Sequence, residues 1–324
     1  MLVDADTEAT RTTLEVLARR FLTEDIVELT LARPDRTNLP RWRAGAHIDL
    51  QLPGELTRQY SLCGDPGAQS EYRIAVLKEP DGRGGSRWVH EHLGTGSAVT
   101  IGGPRNTFEW NESGENYVFV AGGVGITPLV SMVAKAQTSG KPWHLVYGGR
   151  SHSSMAYADH LVDTYGPAVT LWPEDEHGLI DLQLALGPAA EAKQIYCCGP
   201  EPLLVAVEDY CSDGWPVGAV HLERFAARAR QEHDADQAVD VICGRSDITC
   251  HVLPGQSIAT VLRQAGVTVP VSCKEGVCGS CETAVLVGTP DHRDSVLEDW
   301  ERSTVDTIFP CVSWAHGPSI TLDL

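Results

Sequence analysis

Short runs of alternating hydrophobic and polar residues fill the first third of the chain. Each run has the length of a β-strand, and turn-forming pairs such as Pro53-Gly54 separate the runs at nearly regular intervals. The alternation predicts strands at 14–21, 26–32, 47–52, 59–63, 72–76 and 98–102. It therefore favours a small antiparallel barrel or sandwich, interrupted by one helix that begins near Ser86.

From Asn116 onward the pattern changes to continuous apolar runs that alternate with helical segments. The first run, 117–121, ends in a glycine-rich turn and is followed by a helix-like stretch at 129–137. Further apolar runs predict strands at 143–147, 168–171 and 194–198. Alternation of strand and helix indicates parallel strands with crossover connections, which is the architecture of α/β nucleotide-binding domains.

A polar stretch at 229–237 is nearly free of apolar residues and is interpreted as a linker. Beyond it, two short strands predict a hairpin, and Ser257 caps a helix that ends at Ala265. Later strands at 283–287 and 319–322 complete a β-grasp-like unit. The sequence thus predicts a multidomain protein, with an antiparallel β-barrel at 1–110, an α/β domain with a parallel sheet at 111–228, the linker at 229–237 and an α+β domain of β-grasp type at 238–324.

The chain is strongly acidic, with 25 Lys and Arg against 44 Asp and Glu and a formal net charge of −19. Nucleic acids and anionic membranes bind basic surfaces, so neither is an expected partner. From Arg230 to Leu324 there are 14 acidic and 6 basic side chains, which suits a partner with a basic docking face, although ordinary solvated surface charge gives the same count. No apolar run approaches the ~20 residues that span a bilayer, and the acidic N-terminus does not resemble a signal peptide, so a cytoplasmic location is expected.

Four cysteines near the C-terminus carry the most specific chemistry. The spacing C-x4-C-x2-C followed by a long gap is typical of a plant-type 2Fe-2S cluster, and it is formed by Cys273, Cys278, Cys281 and Cys311. Two irons take four soft thiolate ligands, and small residues such as Gly276 let one loop supply three of them. A structural zinc site or two disulfides are the alternatives, but zinc sites usually contain paired C-x2-C units and this chain has one.

A flavin site is predicted from two short segments of the barrel. The first, Arg58-Gln59-Tyr60-Ser61, offers an arginine for a phosphate, an aromatic ring for an isoalloxazine and a hydroxyl for the flavin's polar edge. The second, Gly84-Gly85-Ser86, precedes a helix and would let backbone amides approach a phosphate. An exposed strand end and an ordinary glycine turn with a serine N-cap are the simpler interpretations of these segments.

A nicotinamide site is predicted at the carboxyl ends of the parallel strands. The first strand is followed by Gly122-Gly123-Val124-Gly125-Ile126-Thr127-Pro128, where the glycines would admit a pyrophosphate and the threonine offers a hydroxyl at the helix start. The last glycine of the G-x-G-x-x-G fingerprint is absent, so a different nucleotide-binding family is indicated. The final strand ends at Cys198-Gly199-Pro200, which is also the pattern of a plain turn after a buried cysteine.

The order of these motifs resembles that of the phthalate dioxygenase reductase family, whose members are ferredoxin reductase-like flavoproteins fused to a plant-type ferredoxin. The similarity covers about residues 12–324, and the segments 58–63 and 75–86 are especially similar to the vanillate demethylase reductase branch. The resemblance implies FMN as the flavin and NADH as the electron donor. NADPH is the alternative donor, because Arg150 with Ser151 is able to grip a 2′-phosphate. Stacking of the same arginine on adenine would instead be compatible with NADH.

The resemblance also implies the roles of individual residues. The flavin would be bound by Arg58, Gln59, Tyr60, Ser61, Ala75, Val76, Leu77, Gly84, Gly85 and Ser86, and shielded by Phe225. The nicotinamide dinucleotide would be bound by Gly122, Gly123, Gly125, Thr127, Pro128, Arg150, Cys198 and Gly199. Cys198, Thr127 and Tyr60 are expected at the centre of hydride transfer.

By the same resemblance, the chain is expected to be the reductase component of a two-component Rieske-type aromatic oxygenase or O-demethylase. Hydride from NADH would reach the flavin, single electrons would pass to the 2Fe-2S cluster, and the terminal oxygenase would accept them. Two alternatives use the same modules: a reductase for a cytochrome P450, and a diaphorase whose ferredoxin domain serves only for docking. Fusion of the domains needs no oligomer, so a monomer is expected.

Overall fold

The computed structural model describes residues 11–54, 56–228 and 237–324. This part of the chain divides into two compact units, one that ends at Glu223 and one that begins at Arg224. The domain boundary predicted after residue 228 therefore falls inside the second unit. The predicted linker at 229–237 lies outside the described residues apart from Gln237.

The first unit begins with six antiparallel strands. They are β1 (Thr12–Phe21), β2 (Ile26–Ala32), β3 (His47–Leu52), β4 (Leu56–Ser61), β5 (Tyr72–Leu77) and β6 (Ala98–Arg105). They pair in the order β4-β3-β6-β1-β2-β5, and an antiparallel bridge between Leu62 and Ile74 joins the two ends of the sheet. The predicted antiparallel barrel is confirmed, although β4 begins and ends earlier than the predicted strand at 59–63.

Alternating residues of these strands fill the barrel, as the period of two requires. Ile48 and Val76 are fully buried in its core, and Val89 of helix α1 (Gly85–His92) lies in the same core. The helix is tied to the sheet by His90, whose Nε2 lies 2.9 Å from the carbonyl oxygen of Val76 on β5. These contacts fix the start of α1 beside strands β4 and β5.

The rest of the first unit is a parallel sheet with helical crossovers. Its strands are β7 (Asn116–Gly122), β8 (Trp143–Gly149), β9 (Val169–Pro173), β10 (Lys193–Cys198) and β11 (Val220–Glu223), in the order β11-β10-β7-β8-β9. The connecting helices are α2 (Ile126–Ser139), α3 (Ala158–Tyr165), α4 (Glu174–His177), α5 (Leu182–Leu186) and α6 (Glu201–Cys211). The predicted parallel α/β domain is confirmed, and the four-residue edge strand β11 was not predicted because so short a run shows no periodicity.

The barrel and the parallel sheet share a buried core. Ala75 and Phe108 from the barrel side belong to the same hydrophobic cluster as Ile126 of α2. A polar contact crosses the same boundary, because the hydroxyl of Tyr157 donates to Oε2 of Glu28 on β2 at 2.7 Å. The two domains therefore form one compact unit.

The second unit is a five-stranded sheet with one helix. The strands are β12 (Val239–Cys243), β13 (Ile248–Val252), β14 (Thr283–Asp291), β15 (Thr307–Ile308) and β16 (Trp314–Leu322), in the order β13-β12-β16-β14-β15, and the helix is α7 (Ile258–Gln264). The first and last strands, β12 and β16, pair in parallel, and the other pairs are antiparallel, which confirms the β-grasp type. The side chain of Ser257 caps α7 as predicted, accepting from the backbone N–H of Thr260 at 3.1 Å. Among the helices in the described residues, none has the length and apolar character needed to cross a membrane.

Candidate functional site

Strand β4 and the start of α1 lie together at the predicted site of the flavin phosphate. Gly85 begins α1, and a Cβ atom at this position would stand 2.9 Å from Cγ and 3.1 Å from Nε of Arg58. The arginine side chain therefore lies across the helix N-terminus, where backbone N–H groups without helical partners and the helix dipole favour an anion. A hydrogen bond from NH1 to the carbonyl oxygen of Thr57, at 2.8 Å, helps to orient the guanidinium group.

Ser86 lies in the first turn of the same helix. Its Oγ accepts a hydrogen bond from the backbone N–H of Glu79 at 3.0 Å. This bond occupies an acceptor position of the hydroxyl and leaves its proton to be donated. Arg58, Ser86 and the helix N-terminus thus offer hydrogen-bond donors at the start of α1, which fits the phosphate of the predicted flavin.

The other predicted flavin residues lie on strands β4 and β5. Tyr60 is partly buried, and desolvation raises the pKa of its phenol well above the usual value, so the ring is neutral. Ala75 belongs to the core shared with the parallel sheet and Leu77 packs against that core, whereas Val76 points into the barrel. Gln59 donates from Nε2 to Asp49 at 2.7 Å. Of the predicted pair Ala75 and Val76, only the first therefore presents its side chain outside the barrel.

Exchanging Gly85 for alanine is expected to weaken flavin binding roughly tenfold or more. The added methyl group must displace Arg58 or Leu52, and a displaced guanidinium loses a charge-assisted hydrogen bond to the phosphate worth about 1.5–3 kcal/mol. The measurement is a fluorescence titration of the apoprotein with flavin. Gly94→Ala is the matched control, because no atom lies within 4 Å of a Cβ at Gly94. An equal loss of affinity in both variants would contradict the assignment.

Two loops meet at the carboxyl end of the parallel sheet. The central strand β7 lies between β10 and β8, so the loops after β7 and β10 flank the point where the connections diverge, which is where open α/β sheets bind ligands. A Cβ at Gly125 would overlap the carbonyl oxygen of Cys198, and a Cβ at Gly199 would stand 3.0 Å from Cα of Gly122. These glycines are required because the two loops touch each other, a reason that the sequence did not reveal.

The remaining predicted dinucleotide residues follow strands β7 and β8 at the same carboxyl end of the parallel sheet, which is called the nucleotide crevice. Gly123 has open space around its Cβ position. Thr127 is buried with Pro128, and its Oγ1 donates to the carbonyl oxygen of Val124 at 3.0 Å, so its hydroxyl proton serves the turn and leaves only an acceptor position for a ligand. Arg150 is exposed immediately after β8. The ligand contacts assigned to these residues stay predictions.

A buried carboxyl group joins β4, called the flavin strand because it carries the predicted flavin residues Arg58 to Ser61, to the nucleotide crevice. Glu223 is the last residue of β11 and only 9% exposed. Its Oε2 lies 3.9 Å from Sγ of Cys198, which donates to it, and Ser61 at the end of β4 hydrogen-bonds to the same carboxyl group. The topology therefore brings together three residues from distant parts of the chain, of which the sequence had singled out Ser61 and Cys198.

Burial controls the charge of this trio. It raises the pKa of Glu223 to about 8, and the hydrogen bonds from Ser61 and Cys198 lower that pKa only in part. Burial, together with the nearby Glu223, also holds the pKa of the Cys198 thiol far above its usual value. The raised pKa values favour a protonated Glu223 and a Cys198 thiol at neutral pH, so these two side chains add no fixed charge where β4 and β10 end.

The stability of the protein is expected to fall as the pH rises through the titration of Glu223. The usual pKa is 4.5 and the folded-state pKa is about 8, so the folded state holds an extra proton between these values and loses that advantage as the pH rises. At about 1.4 kcal/mol per pKa unit, the unfolding free energy should drop by roughly 3–5 kcal/mol between pH 5 and pH 9 through this group. Glu223→Gln carries no charge and should remove that drop, measured by denaturant unfolding. Parallel pH curves for the two proteins would contradict the assignment.

The four predicted metal ligands converge in the second unit. They are Cys273, Cys278, Cys281 and Cys311, and all four are buried. The thiol of Cys311 lies within hydrogen-bonding reach of Cys273 and Cys281, and that of Cys278 lies within reach of Cys273. The backbone N–H of Glu275 donates to Sγ of Cys273 at 3.3 Å. Four mutually close sulfurs with a backbone N–H directed at one of them fit a 2Fe-2S cluster.

The loop that carries three of these ligands depends on glycine. Gly276 has a φ of +74°, and a Cβ at this position would stand 2.6 Å from Cγ2 of Val312. Its carbonyl oxygen accepts a hydrogen bond from the backbone N–H of Ser295 at 2.8 Å, which fixes the loop against the following segment.

All ten cysteines are free thiols, so the two-disulfide alternative is wrong.

Phe225, the residue predicted to shield the flavin, lies two positions after β11 and is 46% exposed. It belongs to the second unit, and its role stays a prediction. Glu223 lies in the same short segment, but no role of its own was predicted for it. The available signal was an acidic residue at the end of a run that contains Val220 and Leu222, and only the fold shows that the residue is buried.

Comparison with known proteins agrees with this arrangement. A family model described as the 2Fe-2S iron-sulfur cluster binding domain matches residues 241–315, which include all four cysteines. A second model, the N-terminal domain of dimethylamine monooxygenase subunit DmmA-like proteins, matches residues 103–214. The structure also resembles that of phthalate dioxygenase reductase, whose described function is electron transfer from pyridine nucleotides to a 2Fe-2S centre, with a TM-score of 0.70, 34% identity and coverage of 97% of this chain and 98% of that one. The chain belongs to the phthalate dioxygenase reductase family. It is therefore an electron-transferring oxidoreductase with a 2Fe-2S ferredoxin domain.

Other relatives of this reductase match it over nearly the whole chain. Phenoxybenzoate dioxygenase subunit beta of Ectopseudomonas oleovorans is 42% identical over 312 residues, which are 96% of this chain and 97% of the relative. Vanillate O-demethylase oxidoreductase of Pseudomonas sp. strain HR199 is 38% identical over 313 residues, 95% of this chain and 98% of the relative. A type IV self-sufficient cytochrome P450 monooxygenase of known structure matches with a TM-score of 0.91 and 38% identity over 97% of this chain, which spans 41% of that longer protein. The predicted family and the cluster are thus confirmed, including the similarity to the vanillate branch.

Proposed function

We propose that the chain is the NADH-dependent reductase component of a Rieske-type aromatic oxygenase or O-demethylase, and that it binds FMN. The observation that carries the proposal is the contact of the Glu223 carboxyl group with both Ser61 and Cys198. One side chain links the end of the flavin strand to the end of the nucleotide crevice. Hydride transfer requires the nicotinamide and the flavin to be in contact, and a shared site of this kind supplies that proximity.

The roles of the residues follow from their environment. Bound FMN supplies the step from one two-electron hydride to two single electrons, which a 2Fe-2S cluster accepts one at a time. Arg58 and Ser86 would hold its phosphate, and Tyr60 would lie along its ring. Because Glu223 and Cys198 are buried and uncharged, they would exclude water from the place where the nicotinamide meets the flavin without adding a charge there.

NADH is proposed as the donor in preference to NADPH because of the charges around Arg150. The backbone carbonyl of Arg150 accepts a hydrogen bond from the N–H of Asp175 at 3.2 Å. Asp175 is the middle one of three consecutive acidic residues in the exposed helix α4. Three consecutive carboxylates beside the arginine would repel a 2′-phosphate but tolerate the uncharged ribose of NADH.

FMN is proposed because the phosphate site is built for one terminal phosphate. It consists of a single arginine, a single hydroxyl and one helix N-terminus. The resemblance to family members with this domain order also implies FMN. The test is acid release of the flavin followed by chromatography. FMN is the expected result, and FAD would contradict the proposal.

The partner is proposed from the relatives. Those that cover nearly the whole chain include a dioxygenase subunit and an O-demethylase oxidoreductase. A cytochrome P450 partner is the second candidate, because the P450 monooxygenase with a TM-score of 0.91 contains a segment equivalent to 97% of this chain. Separate reconstitution with a Rieske-type oxygenase and with a cytochrome P450 distinguishes the two. NADH consumption coupled to a Rieske oxygenase is expected, and coupling to a haem protein alone would favour the second candidate.

A further inference from the structure

The second unit contains a cavity of about 200 Å³ beside the cluster cysteines. Its walls include the exposed side of α7, the residue that follows Cys273, and Cys311. Only one of the four metal ligands, Cys311, lines it, so the cavity lies next to the metal site and is a separate space. Any group that enters it comes close to a cluster ligand.

The side chains around the cavity are suited to an anion. Arg263 and Lys274 are exposed cations on its walls, and no acidic residue lines it. Thr260 adds a hydroxyl whose Oγ accepts from Ser257 at 2.9 Å, which leaves its own proton to be donated. Three donors of this kind form a site for a carboxylate.

These two cations differ from the other basic side chains of the ferredoxin domain. Residues 237–324, all of which the structure describes, contain eleven acidic and five basic side chains. Arg245 pairs with Asp323, Arg293 with Asp291 and Arg302 with Asp299. The side chains of Arg263 and Lys274 form no ion pair or hydrogen bond with any described residue. In a domain with a twofold excess of acids, the cations that remain unpaired both line the same cavity.

The positions of these cations are fixed relative to the cluster ligands. Lys274 directly follows Cys273 in the chain. Arg263 lies on α7, whose Ala259 donates its backbone N–H to the carbonyl oxygen of Pro310 at 2.9 Å, next to Cys311. Lys274 thus belongs to the loop that carries Cys273, and Arg263 belongs to a helix that is hydrogen-bonded to the segment of Cys311. Both charges lie near the route by which electrons leave the chain in the proposed function.

The volume of the cavity limits its occupant. Sites for nucleotides and drug-sized ligands enclose about 300–1,000 Å³, which is more than this cavity offers. We infer that the cavity receives a carboxylate side chain of the protein that accepts electrons from the cluster. This inference rests on the proposed function, and it places one acidic side chain of the partner against two cations of a domain in which acidic side chains outnumber basic ones eleven to five. The contact would set the orientation of the partner over Cys311, because the acidic side chains of this domain would repel the partner's carboxylate in any other orientation.

The binding test uses glutarate as the probe and the full-length protein in low-salt buffer, where charge interactions are least screened. Calorimetric titration is expected to show saturable glutarate binding to the wild type, and loss of that binding in Arg263→Gln and in Lys274→Gln. Arg245→Gln removes the same charge from a position that does not line the cavity, and its binding should equal that of the wild type. Unchanged binding in the two cavity variants, or equal loss in all three, overturns the inference.

A kinetic test follows the oxidation of the reduced cluster by its visible absorbance. Ferric EDTA, an anionic carboxylate complex, should oxidise the cluster about threefold to tenfold more slowly in Arg263→Gln and Lys274→Gln than in the wild type. Hexaamminecobalt(III), a cation, should show no such decrease, and Arg245→Gln should behave as the wild type with both oxidants. An equal decrease with both oxidants overturns the inference. If NADH did not reduce the cluster of the wild-type protein, the proposed function would be overturned. The glutarate titration would still decide the inference about the cavity.

Discussion

Exchanging Cys278 for serine is expected to abolish electron delivery to a protein partner while NADH-dependent reduction of a small dye continues. Cys278 is a buried member of the four converging thiols, in contact with Cys273 and with Oγ of Ser280 at 3.2 Å. A serine hydroxyl is a poor replacement for a soft thiolate, so the variant should lose the iron-sulfur absorbance. Apart from Phe225, the predicted flavin and nicotinamide residues lie in the other unit, so the dye reaction should keep the wild-type rate within about a factor of two.

The control for this variant is Cys250→Ser. Cys250 is also buried in the second unit, on β13, but it is not one of the four converging thiols. The same chemical change there should leave the cluster absorbance and partner reduction intact. The measurement compares iron content, dye reduction and partner reduction in both variants. Full partner reduction by Cys278→Ser would show that electrons do not leave through the cluster.

Exchanging Gly125 for alanine is expected to lower the rate of flavin reduction by NADH about a hundredfold. The new Cβ would overlap the carbonyl oxygen of Cys198. Backbone cannot yield as a flexible side chain does, so the loops after β7 and β10 must separate. Cys198 would then move relative to Glu223 and the flavin strand, and a displacement of about 1 Å at a reacting centre costs roughly two orders of magnitude in rate. Stopped-flow mixing with NADH measures this rate directly.

Gly140→Ala is the control for the crevice variant. Gly140 ends α2 on the opposite side from the crevice, has a φ of +70°, and has open space around its Cβ position. The substitution should cost about 1 kcal/mol of stability through backbone strain and leave the hydride-transfer rate and flavin content unchanged. If Gly125→Ala reduced its flavin as fast as this control, the contact between the two loops would have no part in nicotinamide binding.

The sequence predicts the strands well because their signals are local. Strands β2 and β3 have the predicted bounds, since alternating or continuous apolar runs are bounded there by turn residues. The convergence of the four cysteines also follows from their spacing, because a loop that supplies three thiolates to one cluster restricts where they stand in the chain.

The parts of the site that were not predicted depend on contacts between distant segments. The raised pKa of Glu223 requires burial, and its meeting with Ser61 and Cys198 follows from the barrel packing against a parallel sheet. The close approach of Gly125 to Cys198 requires the strand order, in which β7 and β10 are neighbours. No periodicity or spacing within one segment carries that information.

The most direct test of the central claim is the rate at which NADH reduces the cluster, compared with the rate of turnover with the protein acceptor. Oxidised protein is mixed with NADH in a stopped-flow instrument, and the flavin and cluster absorbances are followed separately. If electrons enter at the nicotinamide crevice, cross the flavin and leave through the four-cysteine site, the cluster is reduced after the flavin and at least as fast as turnover. Cluster reduction slower than turnover would contradict this account and would leave the ferredoxin domain with a docking role alone.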